Sequence, residues 1–304
     1  GTAYSAGVNV STADNTAFGN GSGAAITSGV DNTMAGVSAG AALTTGTDNN
    51  LVGDKAGEAL TTGINNTAVG SSALLVSVNS TGNTAVGAYA MDATLTGSNN
   101  VAVGINSLGA NTVGADNVAI GAAALDANTT GAENVAVGAN AMGAAISTVN
   151  NVAVGSDALL VATVGDGNVA VGAFAMNAST TSTTNVAVGL DALGATTTGS
   201  ANVAVGSSAM KATVSATNSV AIGKDAMLVA TAGDNNVVVG ATAMNASTTS
   251  TNNVAVGFNS LGATTTGSSN VAVGANAMAA TVSATASVAV GKDSMLVATA
   301  GDNN

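Results

Sequence analysis

The chain has 304 residues and is 46% hydrophobic, yet only 16 acidic residues and four lysines carry charge, for a net charge of −12. Histidine, cysteine, proline, tryptophan and arginine are absent, which removes imidazole general bases, Ser-His triads, thiol nucleophiles, disulfides and zinc–thiolate sites. A negative balance without a basic cluster also excludes nucleic acid and anionic membrane as partners, so the composition reads as no enzyme, no cofactor and no metal site.

In chain order, the opening residues, with Tyr4 among them, offer neither a charged start nor an apolar stretch, and so read as no signal peptide. No apolar run approaches the length of a membrane-spanning helix, and direct membrane insertion by this segment is not expected. A repeat then takes over. Its glycines are Gly19, Gly36, Gly53, Gly70, Gly87, Gly104, Gly121, Gly138 and Gly155, continuing through Gly172, Gly189, Gly206, Gly223, Gly240, Gly257, Gly274 and Gly291, and the interval of seventeen never varies. Loops tolerate insertions, but a coil stacked on its neighbours does not. The period therefore predicts one repeat domain over residues 1–304, a solenoid with 17-residue coils.

Positions in a coil are counted below from its repeat glycine. Val-Ala-Val before the glycine alternates and is β-branched, which predicts a strand. The segment Ala-Met/Leu-x-Ala-Thr after it predicts a second strand, followed by a Thr/Ser/Gly/Asn turn. Parallel coils about 4.8 Å apart would make a rod roughly 80 Å long. The glycine suits a positive φ or a close backbone approach at a corner. Four residues before it stands Asn in 15 of 17 copies, from Asn15 to Asn270, with Ser219 and Ser287 in the other two. Stacked Asn side chains can hydrogen-bond along the axis and satisfy turn backbone groups.

The two Val of the motif share one face and the Ala takes the other; one face must enter the interior and the other must be covered. From Gly70 onward, position +4 is Met or Leu, as at Met91, Leu108 and Met295. Continuous apolar stripes on a thin coil imply self-association, and parallel packing about one axis would use the same stripe from each chain. The methionines read as core or interface fillers, not metal ligands. In the first three copies Gly23, Gly40 and Gly57 replace Met/Leu, while Ile26, Leu43 and Leu60 follow three residues later. Thr16, Thr33, Asn50, Thr67 and Thr84 take the place of the first Val. Residues 1–70 thus read as more polar, irregular coils, and 105–304 as regular coils. A longer period overlies the latter, since residues 173–236 and 241–304 differ at only 12 of 64 positions, an offset of 68, or four coils.

Asp14, Asp31, Asp48, Asp116 and Glu133 all stand five before a repeat glycine, where stacked carboxylates could take calcium or remain solvated. Lys224-Asp225 and Lys292-Asp293 read as surface pairs. Tyr89 and Phe174 share position +2 and are possible surface contacts for a glycan or protein receptor, or local packing. Asn79, Asn128 and Asn177 match a glycosylation acceptor pattern that chance supplies in so Asn- and Ser-rich a chain.

Asn-Val-Ala-Val-Gly-x-x-Ala-Met in register, and Asn218-Ser219-Val220-Ala221-Ile222-Gly223 in particular, resemble the YadA-like head repeat of trimeric autotransporter adhesins. The resemblance implies an all-β, left-handed parallel β-roll assembled as a parallel homotrimer, the head or shaft of an extracellular adhesin on the cell surface. One departure is coil length: the family's usual head coil is shorter, so each coil here carries a longer outer turn. Copies such as Gly63-Ile64-Asn65-Asn66-Thr67-Ala68-Val69-Gly70 also look like repeats of phage and marine-bacterial fibre proteins. A virion tail fibre that attaches to a host receptor is therefore the alternative. A third class, ice binding, rests on clusters such as Thr196-Thr197-Thr198 and Thr264-Thr265-Thr266.

Overall fold

A computed structural model describes residues 14–163 and 165–296; Tyr4 and the opening segment lie outside the described residues. The fold is an all-β parallel solenoid of 17-residue coils, and no helix occurs among the described residues. The chain groups into two compact units, Gly1–Asn150 and Asn151–Asn304.

The first unit holds β1 (Thr16–Phe18), β2 (Thr33–Ala35), β3 (Asn50–Val52), β4 (Thr67–Val69), β5 (Thr84–Val86), β6 (Val101–Val103), β7 (Val118–Ile120) and β8 (Val135–Val137). The second holds β9 (Val152–Val154), β10 (Val169–Val171), β11 (Val186–Val188), β12 (Val203–Val205), β13 (Val220–Ile222), β14 (Val237–Val239), β15 (Val254–Val256), β16 (Val271–Val273) and β17 (Val288–Val290). Within each unit, successive strands pair in parallel and in register, Val101 with Val118 and Val186 with Val203. The ladder extends past the strand ends: Val118 N–H donates to the Asn134 carbonyl and Gly121 N–H to that of Val103, both at 2.8 Å.

The strand centre points inward. Ala102, Ala119 and Ala204 are fully buried, whereas the flanking Val are not. The choice left open by alternation is thus settled in favour of the Ala face. A small residue fits there because position +4 of the same coil drives a Leu or Met into the same narrow interior.

The expected second strand is not formed. Neighbouring residues in a strand face opposite sides, yet Ser107 and Leu108 are both fully buried. The chain manages this by turning left-handed at Asn106 (φ 55°) and again at Leu108 (φ 53°). The Leu108 N–H reaches forward to the Ala124 carbonyl at 2.9 Å, while that of Asn106 reaches back to Ala88 at 3.1 Å. One large side chain per coil is thereby inserted beside small ones. Met91, Leu108 and Met176 fill the coil's own interior, which decides between the core and interface readings of this stripe.

The irregular first coils obey the same volume rule with the positions exchanged. Met34 and Leu51 replace Ala at the strand centre, and Leu43 and Leu60 are also fully buried. A Cβ placed on Gly40 would lie 2.9 Å from a Leu51 methyl and 3.0 Å from Met34 sulfur. The glycine at +4 is the space those side chains occupy, and the polar residues that replace the first Val, such as Thr33 and Asn50, lie on the outward side of the strand.

Candidate functional site

Buried polar ladders hold the wall in register. Asn83 donates its N–H to Asn66 Oδ1 (3.0 Å) and its Nδ2 to the Gly97 carbonyl (2.8 Å). Its own Oδ1 accepts Asn100 N–H at 2.9 Å and Asn100 Nδ2 at 3.2 Å. Where Ser219 stands in for Asn, its hydroxyl still donates to Gly233 O and accepts from Asn236 N–H, each at 3.2 Å. The Asn column is therefore structural, as its spacing implied.

A second interior column, at position +7, went unnoticed in the sequence. Ser77 pairs with Ser80, Ser179 with Ser182 and Ser247 with Ser250 through their hydroxyls. Asn111 and Asn128 donate to the carbonyls of Gly114 and Gly131, at 3.0 and 3.1 Å. The legible signal was the recurrent Ser-x-x-Ser or Asn-x-x-Gly spacing. Asn128 is fully buried, so its acceptor motif is closed in the fold. Thr94, Thr148, Thr196, Thr213 and Thr281 bury hydroxyls without a partner. An unmatched buried hydroxyl costs about 1–3 kcal/mol, so Thr196→Val should raise stability by about 1–2 kcal/mol in a chemical-denaturation melt. An unchanged or lower midpoint would show that the hydroxyl is satisfied.

The corner acids have a backbone explanation that their sequence pattern did not reveal. Asp14, Asp31, Asp48, Asp116 and Glu133 all adopt φ of 57–58° and are exposed. Asp and Asn tolerate the left-handed region better than other non-glycine residues, and Asn65, Asn99 and Gly82 share the position and the conformation. No grouping of three or more His, Cys, Asp or Glu side chains that could hold a metal occurs among the described residues.

Asp92 and Asp126 lie two coils apart and lean over Gly109. A Cβ on that glycine would meet Asp126 Oδ1 at 2.6 Å and Asp92 Oδ1 at 3.6 Å. Burial raises the Asp126 carboxyl above the ordinary aspartate range. Asp92 is raised by burial first and by the Asp126 charge second, against a backbone hydrogen bond that lowers it. A pKa raised on folding means the folded state binds protons more tightly, so stability grows as pH falls through the raised value and is least when both are ionised. Asp126→Asn should therefore raise the thermal midpoint at about pH 7 and lose that advantage near pH 3, as circular dichroism melts at the two pH values would show.

Lys224 and Lys292 pair with Asp225 and Asp293 at 3.8 and 3.7 Å, as their adjacency suggested. Lys211 reaches Asp191 of the preceding coil at 3.0 Å. All three pairs are solvated and contribute little.

What remains for recognition is the outer surface. Tyr89 (47% exposed) and Phe174 (41%) both sit at position +2 with φ 57°, one in each unit. Their rings lie on the outside of the coil. The outward strand residues form paired columns, with Ile222 41% and Val237 42% exposed. Thr hydroxyls at position +8 are used within the wall, as Thr180 Oγ1 donates to Thr197 O at 3.0 Å and Thr248 Oγ1 to Thr265 O at 2.9 Å. Val78, Leu95, Ile146, Val214 and Val282 interrupt that column. No helix among the described residues is long and apolar enough to cross a membrane. No protein-family model, curated protein or solved structure matches this chain.

Proposed function

We propose that this chain is a non-enzymatic structural and adhesive segment, the head or shaft of a homotrimeric extracellular fibre that attaches to a surface or receptor. The observation that carries the reading is the outer surface. Every coil repeats the same backbone wall, its interior is filled by its own side chains, and the residues free to vary, Tyr89 and Phe174 among them, project outward. Such a scaffold presents many weak contacts at fixed spacing, and multivalency turns them into attachment. The left-handed sense of the coil and the threefold assembly belong to this proposal and rest on the resemblance to adhesin head repeats.

Two measurements test it. Sedimentation equilibrium should give about three times the 28.1 kDa chain mass; a single-chain mass overturns the trimer. Beads coated with the protein should adhere to a panel of host-cell, matrix and polysaccharide surfaces. Tyr89→Asn and Phe174→Asn, which keep the left-handed backbone, should weaken that adhesion without moving the thermal midpoint. Adhesion to nothing in the panel, or adhesion indifferent to both rings, would argue against receptor contact through them.

A further inference from the structure

The outer strand face is not uniform along the chain, and the way it changes identifies its occupant. In β1 to β5 the first outward residue is Thr16, Thr33, Asn50, Thr67 or Thr84. In β6 to β17 both outward residues are Val or Ile in every strand, and the nine strands of the second unit, β9 to β17, present eighteen such side chains without one polar group. The bordering corner column loses its carboxylates further along, after β8. Five residues before the repeat glycine, the first unit carries Asp14, Asp31, Asp48, Asp116 and Glu133. The second carries Gly, Thr, Ala, Asn and Ser at the same exposed corner, from Gly167 to Ala286, and no carboxylate. On the other border, one residue after the glycine, both units add apolar surface, Val37 and Ile105 in the first and Leu190 and Phe258 in the second.

We infer that the strand face of the second unit is an interface between copies of this chain, a proposal that rests on the oligomeric reading above and assigns its surface. Three arguments select a second copy as the occupant. The Val columns repeat with the rise of a parallel sheet, about 4.8 Å. Side chains so spaced interdigitate only with a surface of the same rise, as in stacked sheets; another stack of these coils has that rise, and an ordinary globular surface does not. The net charge of −12 would oppose association of copies wherever carboxylates meet. The second unit carries none at the corner or directly after the glycine, where Lys224 and Lys292 stand in place of a residue such as Asp54; its nearest carboxylates, Asp157, Asp191, Asp225 and Asp293 at position +2 and Asp166 and Asp234 at position −6, lie just outside that span. The area also suffices. Nine strands spanning seven residues each, from one border to the other, cover roughly 1,000 Å² at sheet spacings, against about 800 Å² per partner in a standard interface. Strands β1 to β5 of the first unit, with Thr or Asn on the first outward column, keep their face in water.

Sedimentation velocity of the full chain over a range of concentrations tests this. Wild type should sediment as a multiple of 28.1 kDa. Val203→Lys with Val237→Lys should move the protein to single-chain mass with at least a hundredfold weaker association. The milder set Val203→Thr, Val220→Thr and Val237→Thr copies the outward column of β4 and β5, and should weaken association about tenfold while circular dichroism stays native. Thr67→Lys with Thr84→Lys, on the first unit, should leave the mass unchanged. Wild type at single-chain mass overturns both this assignment and the trimeric reading. Wild-type mass in the lysine and threonine variants, or equal dissociation by the first-unit pair, overturns the assignment alone and leaves the oligomer standing.

Discussion

Gly104→Ala should cost roughly 4 kcal/mol or more and unfold the coils around it. Two causes combine. The residue has φ +136°, a conformation that strains any side chain, and a Cβ there would lie 2.5 Å from the carbonyl oxygen of Gly121 and 2.7 Å from its carbon. Both are backbone atoms of the next coil, fixed by their own ladder bonds, so neither can yield as a rotamer would. Gly109→Ala, five residues on, is the control. Its added carbon would press chiefly on the Asp126 carboxylate, the movable end of a side chain, and should cost under about 1 kcal/mol. Chemical-denaturation midpoints of the two variants measure the difference; equal losses would show that crowding against the next coil does not decide the glycine's role.

Asn83→Leu should cost roughly 2–6 kcal/mol despite conserving volume and adding apolar surface. The Gly97 carbonyl and the Asn100 N–H each lose a partner in a place without water, at about 1–3 kcal/mol apiece. Asn83→Ser should lose only about 1–2 kcal/mol, because the serine geometry seen at Ser219 keeps one donor and one acceptor in the ladder. The order wild type, Ser, Leu in thermal or denaturant midpoints is the test. A leucine variant as stable as wild type would remove the ladder from the account of register.

These two columns were legible before any coordinates because each has one chemical task repeated without interruption. A glycine that meets the next glycine's carbonyl, and an amide that links the amides on either side, leave the same residue at the same place in nearly every copy. The stretch from Asn106 to Asn111 was misread for the opposite reason. Alternation and β-propensity predict a strand only while φ stays negative, and nothing in the letters Ser107-Leu108 announces two left-handed residues around them. Leucine in that conformation is held by burial and by inter-coil hydrogen bonds, tertiary effects that local preference cannot reveal. The acids at Asp31 or Asp116 were open to two readings, a calcium site or solvated charge; their exposure agrees with solvated charge, and the backbone angle they tolerate is not written in the letters. Which side of Val-Ala-Val faces inward depended on the room left by Leu108 and its equivalents, a matter of packed volume that alternation alone does not reveal.

The Asn ladder joins residues 17 apart, as from Asn66 to Asn83 and Asn83 to Asn100, and the other bonds between coils recur at their own fixed offsets, such as 16 from Val118 to Asn134 and 18 from Gly121 to Val103. Such a wall behaves like a one-dimensional crystal whose unit cell is a single coil. Within either unit, removing or inserting whole cells leaves every junction chemically equivalent to the one it replaces, while a change of one residue misaligns all contacts at the join. Length is therefore the property of this chain that can vary most freely without refolding it. The near-identical blocks 173–236 and 241–304 are what such editing leaves behind, four cells copied at once.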